Sequence, residues 1–272
     1  WLPPDISVHG AAIDHLIIVV HIFMALLFVG WGIFIIYCLI RFRKREGHAA
    51  TYEENKSKLP KYLEIGVAVF EVFLLVGLSF PIWSNYKNKP PAVDQSLVVR
   101  VIGQQFAWNI HYPGKDGQFG RTDVKLVSSG NPVGLDLNDS AARDDIVTVN
   151  QLHIPVHKPV IVHLSSIDVI HSFNVPVLRV KQDMIPGMSI PVWFEATRTG
   201  QFDIACAQLC GNGHSLMRGS LTVDTPESYD AWMNEQVQQL QPPPMAAPPL
   251  AAPPLAAPPI AAPAIQGTEI KG

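Results

Sequence analysis

Leu16 to Ile40, LIIVVHIFMALLFVGWGIFIIYCLI, contains no Asp, Glu, Lys or Arg. At about 1.5 Å per helical residue, the run reaches across a hydrocarbon layer of about 30 Å with some tilt. Lipid offers the backbone no hydrogen-bonding partner, so a lone crossing segment has to be helical. A second apolar run, YLEIGVAVFEVFLLVGLSFPIW from Tyr62 to Trp83, brings the chain back. The sequence therefore predicts a two-helix transmembrane hairpin with spans over residues 16–40 and 62–84. The connecting stretch carries Arg41, Arg43, Lys44, Arg45, Lys56, Lys58 and Lys61, whereas residues 1–15 carry Asp5 and Asp14 and no Lys or Arg. By the excess of positive charge on cytoplasmic loops, the connection lies inside and both flanking segments lie outside. The second span holds Glu64 near its inner end and Glu71 within it. A carboxyl at membrane depth is costly and marks a candidate functional position. Trp83 and Tyr86 fall where an interfacial aromatic belt is expected.

Beyond Ser96 the pattern shortens. SLVVRVIGQQFAWNIHY, DIVTVNQLHIPV, PVIVHLSSIDVIHSFNV, SIPVWFEATRTGQFDIACA and GSLTVD are rich in Val, Ile, Phe and Trp and are separated by Gly, Pro, Asn and Asp. Such spacing predicts an all-β sandwich or Greek-key barrel. A helical stretch is expected around Tyr229 to Gln239. The repeat AAPPL after it cannot bury a core and reads as a disordered, partly polyproline II tail. The expected organisation is an N-terminal segment and hairpin over 1–95, a β domain over 96–240 and a Pro/Ala-rich tail over 241–272. A start at Trp1 is expected to reflect processing. The net charge of -3 and the lack of a basic patch exclude a nucleic-acid partner.

Three cysteines do not make a disulfide framework, and Cys38 reads as an inert thiol inside the first span. The other two sit in CAQLCGNGHSLM, residues 206–217, spaced C-x3-C-x3-H-x2-M. Thiolates and a thioether are soft ligands and imidazole is borderline, so Cys206, Cys210, His214 and Met217 favour copper over magnesium or calcium, and the thioether favours copper over zinc. Two thiolates from one tight loop can bridge two ions, and Gly211 and Gly213 let the backbone wrap closely. A zinc site and a Cys206–Cys210 disulfide remain the alternatives on spacing alone. A second histidine has to come from elsewhere: His171 in DVIHSFNVP, or by chemistry alone His153, His157 or His163.

These motifs, together with KQDMIPG and the two spans, resemble cytochrome c oxidase subunit II from residue 16 to about 235. The resemblance implies a cupredoxin-like barrel holding the binuclear copper centre CuA. Its ligands would be His171, Cys206, Cys210, His214 and Met217 with the backbone carbonyl of Gln208. His171 and Met217 would serve one copper, His214 and the carbonyl the other. It further implies a bacterial inner-membrane subunit with the copper domain on the periplasmic side. Electrons would come from cytochrome c or another c-type donor and pass to subunit I, where oxygen is reduced, so no catalytic residue is expected in this chain. Oxidase subunit I, other oxidase subunits and the lipid bilayer are the implied partners. Glu64 matches the mouth of a proton path into subunit I, and Asp168 an acidic donor-docking position. The family's Q-W-x-W, through which electrons enter, reads QFAW here, giving Phe106 and Trp108. Gln208 stands where a glutamate commonly helps hold magnesium against subunit I, and a neutral amide does not replace it. Met188 stands where arginine is often found. The rival readings are a CuA subunit of a nitric oxide reductase, a quinol oxidase subunit, disfavoured by the intact ligand set, and a membrane-tethered copper carrier. The chain contains no CxxCH and so no site for a c-type haem.

Overall fold

A computed structural model describes residues 2–50, 52–53 and 56–240, so the Pro/Ala tail of 241–272 lies outside the described residues. The two apolar runs form α1 (Gly10–Arg41) and α2 (Leu59–Lys87), each longer at both ends than the predicted spans. Almost none of either helix is buried, which sets them apart from the core helices of a soluble domain and fits an apolar surround. They touch through Phe23 and Phe70, whose ring centroids lie 4.6 Å apart, and through buried Leu74. Within α2 the turns Phe73–Ser79 widen to π-helical geometry. Pro81 follows and has no N–H to give back to Gly77, so the ladder is interrupted there in any case.

The rest is a sandwich of ten strands: β1 (Leu97–Gln104), β2 (Ala107–Tyr112), β3 (Ile146–Val149), β4 (Gln151–Pro155), β5 (Pro159–Ser166), β6 (His171–Val175), β7 (Val180–Met184), β8 (Ile190–Glu195), β9 (Gly200–Cys206) and β10 (Arg218–Asp224). One sheet has the order β3-β2-β1-β5-β8, the other β4-β10-β9-β6-β7. β1/β5 and β4/β10 pair in parallel and the other pairs are antiparallel. Alternate residues such as Val99, Val101, Ile110, Leu164, Phe173, Ile204 and Leu221 fill the space between the sheets. Each of the four longer apolar runs proves to be two strands broken by a turn. The helix α3 (Pro226–Leu240) docks on the second sheet, where Trp232 stacks on His153 at 4.2 Å. The all-β reading holds, with three additions.

β7 was not foreseen: it is an edge strand with Lys181 and Asp183 outward, so it lacks an apolar signature. The N-terminal residues belong to the sandwich rather than to the hairpin. Ile6 is a core residue, Ser7 pairs with Ala196, and Ile6 N donates to Val177 O at 3.0 Å. Residues 113–145 form an insertion over the outer face of the first sheet, where Val133, Leu135 and Ala142 pack on Ile102 and Val147. It is pinned by a fully buried pair, His111 Nε2 to Asp145 Oδ2 at 2.7 Å.

The hairpin is tied to the sandwich at one end. Arg179 donates to both carboxylate oxygens of Asp14 at 2.6 and 2.8 Å and to Pro3 O at 2.8 Å. Tyr86 of α2 stacks on Trp193 of β8, whose indole N–H donates to Tyr86 O at 2.7 Å, and His9 sits edge-on to both rings.

Candidate metal centre

The strand directions bring five turns to the end of the sandwich away from Arg179: β1–β2, β3–β4, β5–β6, β7–β8 and β9–β10. The soft donors gather there. His171 opens β6, and its ring is fully buried against Gly103 of β1, where an added Cβ would lie 2.8 Å from the ring. The absence of a side chain at Gly103 is what makes room for the imidazole. Nε2 of His171 donates to Asp168 Oδ1 at 2.8 Å, which leaves Nδ1 with its lone pair facing Cys206 Sγ at 4.0 Å.

Cys206 ends β9 and the following loop turns back over it. Cys206 Sγ lies 3.8 Å from Cys210 Sγ and 3.2 Å from Gln208 O. Cys210 Sγ lies 3.6 Å from His214 Nδ1 and 3.8 Å from Met217 Sδ. The donor atoms of His171, Cys206 and Cys210 are all within 4.8 Å of one another. Both cysteines are free thiols. Burial, and then the neighbouring Cys206, push the Cys210 thiol up to about 11. A cation beside Cys210 would favour its thiolate against that burial. The donor set of two sulfurs from cysteine, one thioether and two imidazoles, largely buried, fits a soft metal ion.

The β1–β2 turn closes the site from above. Gln105 Nε2 donates to Cys210 O at 2.6 Å, and the Phe106 ring lies so close to Gly213 that an added Cβ there would meet it at 2.4 Å. Phe106 is 38 % exposed, whereas Trp108 is fully buried beside His171 and Phe173. Of the two aromatic residues suggested for electrons to enter, only Phe106 reaches the surface. Trp108 is a core residue, because β2 alternates and position 108 faces inward.

Asp168 also departs from expectation. Its Oδ1 accepts from His171 and from Val169 N at 2.7 Å, and its Oδ2 accepts from Gln105 N at 2.6 Å. Burial opposes its ionisation, but these hydrogen bonds outweigh it and hold the carboxyl below its ordinary range. Both oxygens are therefore engaged with the site, while 26 % of the Asp168 side chain stays exposed beside it. The other histidines lie elsewhere: His153 bonds Asp224 at 2.9 Å, His157 sits in the β4–β5 turn at the opposite end, and His163 faces outward beside Arg100. Glu64 and Glu71 are exposed on α2, Glu71 just ahead of the π turns. The Gln208 side chain is exposed, and so is that of Met188. Gly103 and the inward role of Asp168 were missed; neither leaves a signal in the sequence beyond its nearness to the motifs.

Residues 97–223 match the family described as cytochrome c oxidase subunit II, periplasmic domain. The chain is 37% identical over 237 residues to an alternative cytochrome c oxidase subunit 2 of Bradyrhizobium diazoefficiens, covering 87% of this chain and 83% of that one. It is 30% identical over 214 residues to cytochrome c oxidase subunit 2 of Cereibacter sphaeroides, covering 74% and 68%. A crystal structure of the periplasmic domain of subunit II of cytochrome oxidase from Bradyrhizobium japonicum aligns with a TM-score of 0.42 at 28% identity, over 56% of this chain and all of that one. With a relative this similar aligned over nearly its whole length, the chain belongs to the cytochrome c oxidase subunit II family.

Proposed function

We propose that this chain is the electron-transfer subunit of a terminal haem–copper oxidase, taking electrons from a c-type cytochrome at a binuclear copper centre and passing them to subunit I for oxygen reduction. The observation that carries the reading is the pair of cysteine sulfurs 3.8 Å apart, flanked by His171 and Gln208 O beside one and by His214 and Met217 beside the other. A buried thioether in that set favours copper over zinc. His171, Cys206, Cys210, His214, Met217 and the Gln208 carbonyl would hold two copper ions, which would supply a one-electron couple.

The protein's part is to hold that site rigid and dry. Asp168 fixes the His171 tautomer and ring plane, and Gly103 receives the ring. Cys210 and Met217 are shielded from water, 5% and 1% exposed. Gln105 clamps the loop backbone, and Phe106 lies over the loop as the contact between donor and site. The oxidase sits in the bacterial inner membrane with the sandwich on the periplasmic side, following the basic loop between the helices. Glu64, near the inner end of α2, faces subunit I at the start of a proton path. Gln208 offers an amide and no carboxylate, so no magnesium ion is assigned to it.

The test is metal loading of the full chain in detergent. Two copper ions per chain are expected, with an electron paramagnetic resonance spectrum in which one unpaired electron is shared equally over both nuclei. One copper per chain would point instead to a membrane-tethered copper carrier, and zinc retained under excess copper would end the copper reading. If the chain co-purifies with a nitric oxide reductase rather than an oxygen reductase, the copper centre stands but the terminal chemistry does not.

A further inference from the structure

The two ends of the sandwich differ sharply in charge. Turns at the Arg179 end carry Lys115, Asp116, Arg121, Asp123, Lys158 and Arg198 among others. At the metal end, residues 104–107, 149–151, 185–189 and 207–217 contain no Asp, Glu, Lys or Arg, and residues 167–170 contain only Asp168. That carboxylate is bonded to His171 and to Gln105 N and keeps 26 % of its side chain exposed. Asp183 on β7 and Arg218 at the start of β10, of opposite sign, mark the margin. What these turns expose instead is apolar: Leu216 at 80 %, Leu209 at 77 %, Val149 at 47 %, Ile170 at 43 %, Phe106 at 38 % and Val169 at 37 %.

We infer that the electron donor docks on this sparsely charged end by apolar contact, and that its own haem edge is rimmed by apolar and uncharged residues rather than by a ring of lysines. The inference rests on the proposed electron-transfer role and adds the chemistry of the partner. A lysine-ringed donor would find one carboxylate here, already bonded to His171, and would leave its other ammonium groups facing Leu, Val and Phe. An apolar rim buries the exposed side chains and leaves no charge unpaired. Phe106 touches the ligand loop through Gly211 and Gly213, so a partner seated on it is already in contact with the site. Without steering charges, encounter proceeds at an unassisted rate and is insensitive to salt, since screening has little to screen.

The experiment uses the assembled oxidase and stopped-flow reduction by two soluble c-type cytochromes, one with a lysine-ringed and one with an uncharged haem edge, across low to high ionic strength. The expected result is a rate constant for the uncharged donor that changes less than about twofold over the series, whereas electrostatically steered pairs change by about tenfold or more. The paired substitution Leu209→Asp and Leu216→Asp should slow the uncharged donor by about tenfold and speed the lysine-ringed one at low salt. Copper content and reduction by a small neutral reductant are measured in both proteins. A steep fall with salt in the native oxidase, with copper intact, overturns the docking inference alone. Loss of assembly with subunit I in the substituted protein, with an unchanged rate per assembled copper, overturns it too and gives the apolar surface to subunit I. Absence of copper from the native oxidase overturns both this inference and the role on which it rests.

Discussion

Replacing Gly103 with Ala isolates one contact. Gly103 lies in β1, and its φ is not in the left-handed region, so alanine fits its backbone. The added methyl would sit 2.8 Å from Cδ2, 3.1 Å from Cγ and 3.3 Å from Cβ of His171. Comfortable carbon contacts begin near 3.5 Å, so the ring has to retreat by roughly 0.5–1 Å. It cannot do so freely, because Nε2 is held by Asp168 at 2.8 Å and the ring is buried against Trp108. Overpacking of this kind costs about 1–3 kcal/mol of stability in the metal-free protein. The displaced Nδ1 should also weaken copper binding by about 10–100-fold, the size of effect seen when groups that orient a ligand are disturbed. Denaturant unfolding of the metal-free chain gives the first number and competitive copper titration the second. A Gly103→Ala protein with unaltered stability and an unaltered copper spectrum would refute the claim that this glycine makes room for the ligand.

Asp168→Ala should lower copper affinity by about 10–100-fold through loss of the hydrogen bond to His171. It should leave the salt dependence of donor oxidation unchanged, and a change in that dependence would restore Asp168 as a docking residue. At His111 the neutral ring donates from Nε2 to Asp145, and its buried Nδ1 has no partner, so a second proton there would be an unsatisfied donor. Burial therefore lowers its pKa, against the pull of Asp145 and with the help of Arg100, which also lies beside His163. Above about pH 6.5 both folded and unfolded states hold this ring neutral; below it the unfolded chain takes up the proton first and stability falls by up to about 1.4 kcal/mol per pH unit. His111→Gln should remove about one proton's worth of that slope between pH 6.5 and 5, as measured by unfolding at each pH, and an equal slope in both proteins would show His111 to be protonated in the fold.

The hairpin was legible because a run without charge from Leu16 to Ile40 admits one structure in lipid. The sandwich was legible because alternation in β1, β5 and β10 has a period that a helix cannot use. The donor loop was legible because Cys206, Cys210, His214 and Met217 are local in sequence and chemically rare. What stayed hidden depends on contacts between distant segments. Nothing at Ile6 announces that it fills the sandwich core, because its partners Val177 and Thr197 are far along the chain. Asp168 read as a docking position, and its bonds to His171 and Gln105 stayed hidden because they depend on how two distant turns meet. Trp108 and Phe106 read alike, and only the register of β2 puts one in the core and leaves the other at the surface.

The same topology accounts for how the metal end is held relative to the hairpin. β6 and β7 form one antiparallel pair, with Val175 opposite Val180 at one end and His171 opposite Met184 at the other. At about 3.3 Å per residue the pair spans roughly 13 Å. One end of it, through Arg179, is bonded to Asp14 of α1; the other end supplies His171. The strand pair thus links α1 to the residue that opens the metal site, beside the second tie from Tyr86 to Trp193. The proposed electron relay needs that link to be rigid, because transfer depends on a fixed distance from donor atoms to acceptor. The ion pair that anchors the sandwich lies at the Arg179 end, and of the five turns at the metal end only β5–β6 carries a charge, Asp168, which is bonded to His171.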